Sequence, residues 1–295
     1  MPIRGILNGY YRSGTTILWW IFQLSNLDKP IIYEPHSPSI LEQARKYGCM
    51  HIDGLHGFPL LMSFYMVKEH IFEEYLDNAI PKPIYEKPDE AVETIEMFHR
   101  ESKDVYVQPN QLHFVLNEVS AKFGCKYVHV MRSPIDTFWS HLPPNIRKEN
   151  AILDIACGGH YDKLKGSFWI EDCYNVGKKF IDRRAKGDYI IDKFLISWTA
   201  ANYVAMKNSQ LTVNGMVVKF EDFLENPKET FEKVGDFLGL KVIPAYTQLL
   251  NRNRASSIPK KERELLKNIM FERVLLYDLA HHIYELGYLD VFATR

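Results

Sequence analysis

Cysteine is scarce. The four in 295 residues, Cys49, Cys125, Cys157 and Cys173, are scattered and form no CxxC pair. That spacing signals neither a disulfide scaffold nor a zinc site, and small buried thiols in a reducing cytoplasm are expected. A net charge is also missing, since 36 Lys+Arg face 37 Asp+Glu. This balance excludes a protein that holds nucleic acid through a net positive field. Long apolar runs are absent too. Residues 17–24 and 55–67 are the most apolar stretches, and both fall short of the ~20 residues that a membrane-crossing helix needs. The short apolar run behind Arg4 cannot serve as a secretory leader. No transmembrane segment and a cytoplasmic location are therefore expected. There is no internal repeat and no low-complexity tract.

What remains is an ordinary globular composition, 46% hydrophobic and 25% charged, with a sizeable aromatic share of 13%. An apolar strand over residues 3–8, a Gly/Ser-rich turn and a helix over residues 15–24 make a βα unit. A second strand, residues 126–131, runs into Arg132-Ser133-Pro134 and a helix through His141. Ser133 suits its N-cap, Pro134 its first position and Asp136 a capping box. A third strand over residues 215–220 precedes Glu221-Asp222 and a helix over residues 227–238 that ends at Gly239. Alternating strands and helices predict an α/β fold, one domain over residues 1–295, with a mostly parallel sheet flanked by helices. Residues 45–104 and 143–190 read as insertions, the usual place for acceptor specificity. The tail, residues 259–288, has a helical apolar period.

The loop Gly9-Tyr10-Tyr11-Arg12-Ser13-Gly14-Thr15-Thr16 joins the first strand to the first helix. It has the GxxxxG frame of a phosphate cradle, but Thr15 stands where nucleoside-triphosphate enzymes place Lys. Backbone N–H groups of Gly14, Thr15 and Thr16, together with the helix N-terminus, suit an anion. Arg12 supplies the cation from within the loop. In the second unit Arg132 lies at a strand's carboxyl end. Ser140 lies seven residues after Ser133, close to two helical turns on. Arg132 and Ser140 can then share one phosphate. Carboxyl ends of parallel strands open on one crevice, so a ligand with two separated anionic groups is implied.

These residues resemble the sulfotransferases that use 3′-phosphoadenosine 5′-phosphosulfate (PAPS). Arg12-Ser13-Gly14-Thr15-Thr16 is similar to the family's 5′-phosphosulfate loop, and Arg132 through Ser140 to its 3′-phosphate motif. Trp198, residues 217–223, Asn226-Pro227 and Phe237-Leu238-Gly239-Leu240 follow in family order. The resemblance implies a P-loop-like sulfotransferase fold, PAPS as donor, PAP as product and no metal requirement. It implies Arg12, Ser13, Gly14, Thr15 and Thr16 at the 5′ end of the donor, Arg132 and Ser140 on the 3′-phosphate, Trp198 in the nucleotide region and Arg254 in a late closing loop.

An acceptor hydroxyl must lose its proton, so a base is expected. Glu34-Pro35, at the end of a probable strand over residues 31–36, resembles the Glu-Pro of carbohydrate and some bacterial sulfotransferases. Glu34 is the candidate base and His36 its alternative. A carboxylate paired to Arg12 is the structural explanation of the same residue. Cytosolic members that act on small phenols carry a Lys and a His where this chain has Val107-Gln108-Pro109-Asn110, which points away from that subtype. The implied acceptor is a carbohydrate, glycolipid or other small metabolite. A P-loop kinase with Asp222 as its acid, or a nucleotide-binding module without catalysis, are the competing readings. Tyr10-Tyr11, Phe64-Tyr65 and Phe168-Trp169 are expected to wall a pocket. The adjacent His281-His282 cannot chelate one metal from one helix face.

Overall fold

Five short strands, β1 (Gly5–Gly9), β2 (Ile31–Tyr33), β3 (Tyr106–Gln108), β4 (Lys126–Met131) and β5 (Gly215–Lys219), form one sheet in the order β2-β3-β1-β4-β5. Every pairing is parallel. In this computed structural model the described residues are 3–47, 62–67, 69–78, 85–99, 104–143, 147, 167–181, 187–252 and 258–292. The strand residues are nearly all buried in β1 to β4, as a sheet covered on both faces requires. The helices Thr15–Ser25 and Pro227–Leu238 pack on one face. The long helix Ile190–Gln210, with Pro134–His141, Ser167–Gly177 and Lys260–Leu276, closes the other. Among the described residues, no helix is long and apolar enough to cross a membrane.

Register fixes what the sheet presents. Tyr33 lies opposite Gln108, Gly9 opposite Val130, and Met131 opposite Lys219. The residues that leave the strands at their carboxyl ends therefore follow one edge in the order Glu34, Asn110, the Arg12 loop, Arg132, Glu221. With neighbouring strands ~4.8 Å apart, β2 and β4 are separated by roughly 15 Å along that edge.

Several boundaries depart from the sequence reading. β2 stops at Tyr33 because Glu34 takes a positive φ of 40° and the chain turns, Ser37 N–H donating to the Glu34 carbonyl at 2.9 Å. β5 stops at Lys219, and Phe220 opens the helix Phe220–Glu225, where Asp222 Oδ2 accepts from the Lys219 N–H at 3.4 Å. The tail breaks between the helices Lys260–Leu276 and Ala280–Glu285, around Asp278 at φ 53°. Phe64 is a core residue, packed against Tyr75 and Phe98. The side chains of Tyr65 and Phe168 lie outside the described residues, as do Cys49 and Cys157; Cys125 and Cys173 are free and buried.

Candidate active site

The loop after β1 is a cradle by construction. Ser13 N–H closes a tight turn onto the Tyr10 carbonyl at 2.9 Å, Arg12 takes φ 68° and Gly14 φ 95°. Two left-handed residues on either side of Ser13 bend the chain sharply here. Gly9 leaves room that a side chain would fill, since a Cβ there would stand 2.5 Å from Ser13 Oγ and 2.9 Å from the Val130 carbonyl. Gly14 admits no Cβ either, because one would meet the Phe220 ring at 2.3 Å. The helix Thr15–Ser25 begins with no side-chain cap, so its first-turn N–H groups face the loop without one. Ser13 Oγ is buried with no hydrogen-bond partner among the described residues. An anion held by these N–H groups and this hydroxyl fits both observations. Beneath the loop, Tyr10 is buried and its hydroxyl bonds Ser197 Oγ at 2.7 Å.

Arg132 leaves β4 beside it. Its Nη1 donates to the Arg12 carbonyl at 3.4 Å and its guanidinium lies 5.1 Å from the Phe220 ring centroid. Phe220 thus sits against both Gly14 and Arg132 and spaces the two motifs. Ser133 caps the helix Pro134–His141 as expected, accepting from the Asp136 N–H at 3.5 Å, while the Asp136 carboxylate pairs with Arg263 at 2.8 Å. Glu221 braces this turn from β5: one oxygen accepts from the Ser133 N–H and the other from the Tyr288 hydroxyl, both at 2.8 Å. Ser140 is half-buried and its hydroxyl donates to the Thr137 carbonyl at 2.7 Å. Trp198 is fully buried and its Nε1–H donates to the Arg132 carbonyl at 3.1 Å. It therefore supports the Arg132 turn from beneath, as a core aromatic beside the region assigned to the nucleotide. Arg254 lies outside the described residues.

Arg147 is a further cation that the sequence reading passed over within the second insertion. Its Nη2 donates to the Trp139 carbonyl at 2.8 Å and its guanidinium lies 5.2 Å from the Trp139 ring. Burial lowers its pKa, and the fields of Arg12 and Arg132 lower it further, which places three guanidiniums around one region.

On the other side of the cradle, Glu34 is buried and accepts from Asn110 Nδ2 at 2.7 Å; Gln108 Nε2 in turn donates to Asn110 Oδ1. Burial pushes the Glu34 carboxyl up to about 7, against the hydrogen bonds of Tyr33, Asn110 and Ser37 and the field of Arg12. The Tyr33 hydroxyl also bonds Thr16 Oγ1 at 2.8 Å. Thr15 is buried against Gly9. His36 is buried, with its ring toward the backbone of Ala91 and its pKa lowered by burial to about 4; neither ring nitrogen meets strict hydrogen-bond geometry with a described partner. Asn110, at φ 56°, was legible only as a departure from the Lys and His of another subtype. Among the described residues, no group of three or more His, Cys, Asp or Glu side chains could hold a metal ion.

A parallel sheet flanked by helices, with a glycine-framed loop, a second cationic turn and a buried carboxylate at its carboxyl edge, defines an α/β protein with its candidate site on that edge. The chain belongs to the sulfotransferase domain family, whose model matches residues 2–273. It is similar to an uncharacterised protein of Archaeoglobus fulgidus, 28% identical over 312 residues that cover 96% of this chain and 97% of that one. Among solved structures it is similar to the sulfotransferase domain from the curacin biosynthetic pathway, at 12% identity and TM-score 0.46, covering 84% of this chain and 78% of that one. A sulfotransferase from Alicyclobacillus acidocaldarius gives 14% identity and TM-score 0.42, covering 96% of each chain. Mouse sulfotransferase SULT7A1 complexed with PAP gives 15% and 0.37, covering 88% of this chain and 66% of that one.

Proposed function

We propose that this chain moves the sulfuryl group of PAPS to a hydroxyl or amine of an acceptor, leaving PAP and a sulfated product, with no metal ion. One observation supports the reading most: Arg132 Nη1 donates to the Arg12 carbonyl at 3.4 Å, and the two turns proposed to hold anions leave adjacent parallel strands side by side. A donor with phosphate groups at both ends of a nucleoside matches that pair. Gly14, Thr15 and Thr16 hold its 5′-phosphate through backbone N–H groups, with the buried Ser13 hydroxyl beside them. Arg132 and Ser140 hold the 3′-phosphate, and Arg254 closes over the nucleotide. PAPS supplies an activated sulfuryl group. Arg12 stabilises the charge left on the phosphate oxygen when the sulfur–oxygen bond breaks.

Glu34 accepts the acceptor's proton as the new bond to sulfur forms. Its buried carboxyl, raised to about 7, is matched to that task near neutral pH. His36 is the weaker choice for base, since its ring is turned toward Ala91. The whole of residues 1–295 acts as one unit, residues 45–104 and 143–190 select the acceptor, and carbohydrates, glycolipids and other small metabolites are its expected classes. The enzyme works in the cytoplasm.

Thermal shift tests the donor. PAP without Mg²⁺ is expected to stabilise strongly, a ligand at 100 times its Kd adding ~2.7 kcal/mol; stabilisation by ATP–Mg²⁺ alone would return the kinase reading. Arg132→Ala should weaken PAP far more than adenosine 5′-phosphosulfate, and equal losses would remove the 3′-phosphate assignment. An acceptor screen with labelled PAPS, read by product mass, identifies the acceptor.

A further inference from the structure

We infer that Asn8 is a positioning residue for the donor site: its one buried carboxamide fixes His113 and His129 as neutral imidazoles with the proton on Nε2, and through them sets the cradle loop at Tyr10 and the Arg132 turn. The inference rests on the reading of those two turns as the donor site. Asn8 precedes Gly9 in β1 and is fully buried, opposite His129 of β4. Its Nδ2 lies 3.1 Å from His113 Nδ1 and 3.0 Å from His129 Nδ1. Its Oδ1 accepts from the Leu112 N–H at 3.2 Å. On the far side of the ring, His129 Nε2 lies 3.0 Å from Asn202 Oδ1, and Asn202 Nδ2 donates to the Trp198 carbonyl at 2.7 Å.

Both ends of this chain are backbone groups with a single possible role. The Leu112 N–H can only donate, so the Asn8 oxygen faces it and both amide protons of Asn8 are left for the two Nδ1 atoms. The Trp198 carbonyl can only accept, so the Asn202 nitrogen faces it and the Asn202 oxygen faces His129. His129 therefore accepts at Nδ1 and donates from Nε2. His113 accepts at Nδ1 from the same amide, so both rings hold one tautomer. A proton on either Nδ1 would set donor against donor in the core. Burial acts in the same direction, lowering the pKa of His113 well below its ordinary range and that of His129 to about 4. Besides one another, the titratable groups that face the rings are Tyr10 from the cradle loop and Tyr85 ahead of the helix Pro88–His99. Burial pushes both phenols well up, so they stay neutral. β5 places Val217 opposite His129, and the helix Ile190–Gln210 supplies Asn202; neither carries a charge.

The two histidines lead to the two halves of the site. His113 stacks on the Tyr10 ring, their centroids 5.9 Å apart. His129 holds Asn202 on the helix that carries Trp198, whose Nε1–H holds the Arg132 carbonyl at 3.1 Å. His129 thus serves as one acceptor and one donor at fixed places, which a glutamine side chain can supply and a leucine cannot.

Two measurements on the full chain decide the matter. The first is long-range proton–nitrogen NMR of histidine-labelled protein, assigned through the backbone. Both rings are expected to show Nε2–H and to stay neutral at about pH 5, below the ordinary histidine range. Nδ1–H on either ring overturns the inference, and this measurement needs neither ligand nor variant. The second is calorimetry of PAP and of adenosine 5′-phosphosulfate. His129→Gln should bind PAP as wild type does. His129→Leu should bind PAP several-fold more weakly and adenosine 5′-phosphosulfate unchanged, because His113 and Tyr10 keep their hold on the cradle. Equal PAP affinity of the two variants reduces His129 to packing and overturns the inference. Asn8→Asp keeps the shape of the side chain and removes both donated protons, so it should weaken both nucleotides; it decides the matter if His129→Leu does not fold, and binding equal to wild type overturns the inference. These failures leave the donor reading standing. Absence of PAP binding to the wild type removes that reading and the positioning role with it.

Discussion

Glu34 shows how one residue is tuned by where the chain turns. Its φ of 40° is unusual for a non-glycine residue. The turn drops the carboxyl into the protein beside Asn110 and away from bulk water. Burial dominates, and the carboxyl titrates at about 7 in place of 4.5. Transfer that depends on its ionised form should therefore rise with pH through about 7, read as the acid limb of kcat/KM. Glu34→Gln should cut turnover by about 10²- to 10⁴-fold while PAP binds in thermal shift as before. Unchanged activity would remove Glu34 from the chemistry. The sign of the stability effect follows from the same shift. Between 4.5 and 7 the folded protein holds a proton that the unfolded chain has released, so this group's contribution is full below 4.5 and is lost as pH rises through 7. Above that, the buried charge costs on the order of 3 kcal/mol. Glu34→Gln should accordingly melt higher than wild type at pH 8 and at the same temperature at pH 4.

The elements were legible where a local signal and the tertiary environment agreed. β4 and the helix Pro134–His141 were read at their true limits, because an apolar run meets a Ser-Pro start in consecutive residues. The helix Pro227–Leu238 ends at Gly239, whose φ of 74° is the left-handed cap that glycine supplies. β3 was missed. Three residues ended by Pro109 carry no alternation, and only its position between β1 and β2 makes them a strand. The same gap hid Asn110, which acts on Glu34 from the end of β3. The apolar run of residues 215–220 carries Phe220 into a strand, yet it begins a helix and its ring fits under Gly14. Gly14→Ala tests that fit. A left-handed φ costs an L-residue about 1–2 kcal/mol, and the methyl would also enter the Phe220 ring. Urea unfolding should show a loss of about 2 kcal/mol or more, with PAP binding abolished. Adding Phe220→Leu should recover part of the stability, since it relieves the contact and leaves the backbone strain.

At the scale of the whole molecule, the strand order turns separate motifs into one site. Glu34, Asn110, the Arg12 loop, Arg132 and Glu221 come from five different strand ends, and only the order β2-β3-β1-β4-β5 lines them up. The turn at Gly287 and Tyr288 reaches that edge too. Lys219 Nζ donates to the Gly287 carbonyl at 2.8 Å and lies 4.6 Å from the Tyr288 ring centroid. The Tyr288 hydroxyl holds Glu221, Glu221 holds the Ser133 N–H, and the Tyr288 ring packs edge-on against Trp198, which holds the Arg132 carbonyl. Both backbone groups flanking the Arg132 turn are thus tied to a tail that sequence alone read as a plain amphipathic helix. Tyr288→Phe keeps the ring and removes the bond to a carboxylate, a loss of about 1.5–3 kcal/mol in stability. If the brace positions Arg132, PAP should also bind several-fold more weakly in calorimetry, with adenosine 5′-phosphosulfate, which lacks the 3′-phosphate, bound as before. A variant less stable but equal to wild type toward both nucleotides would reduce Tyr288 to packing alone.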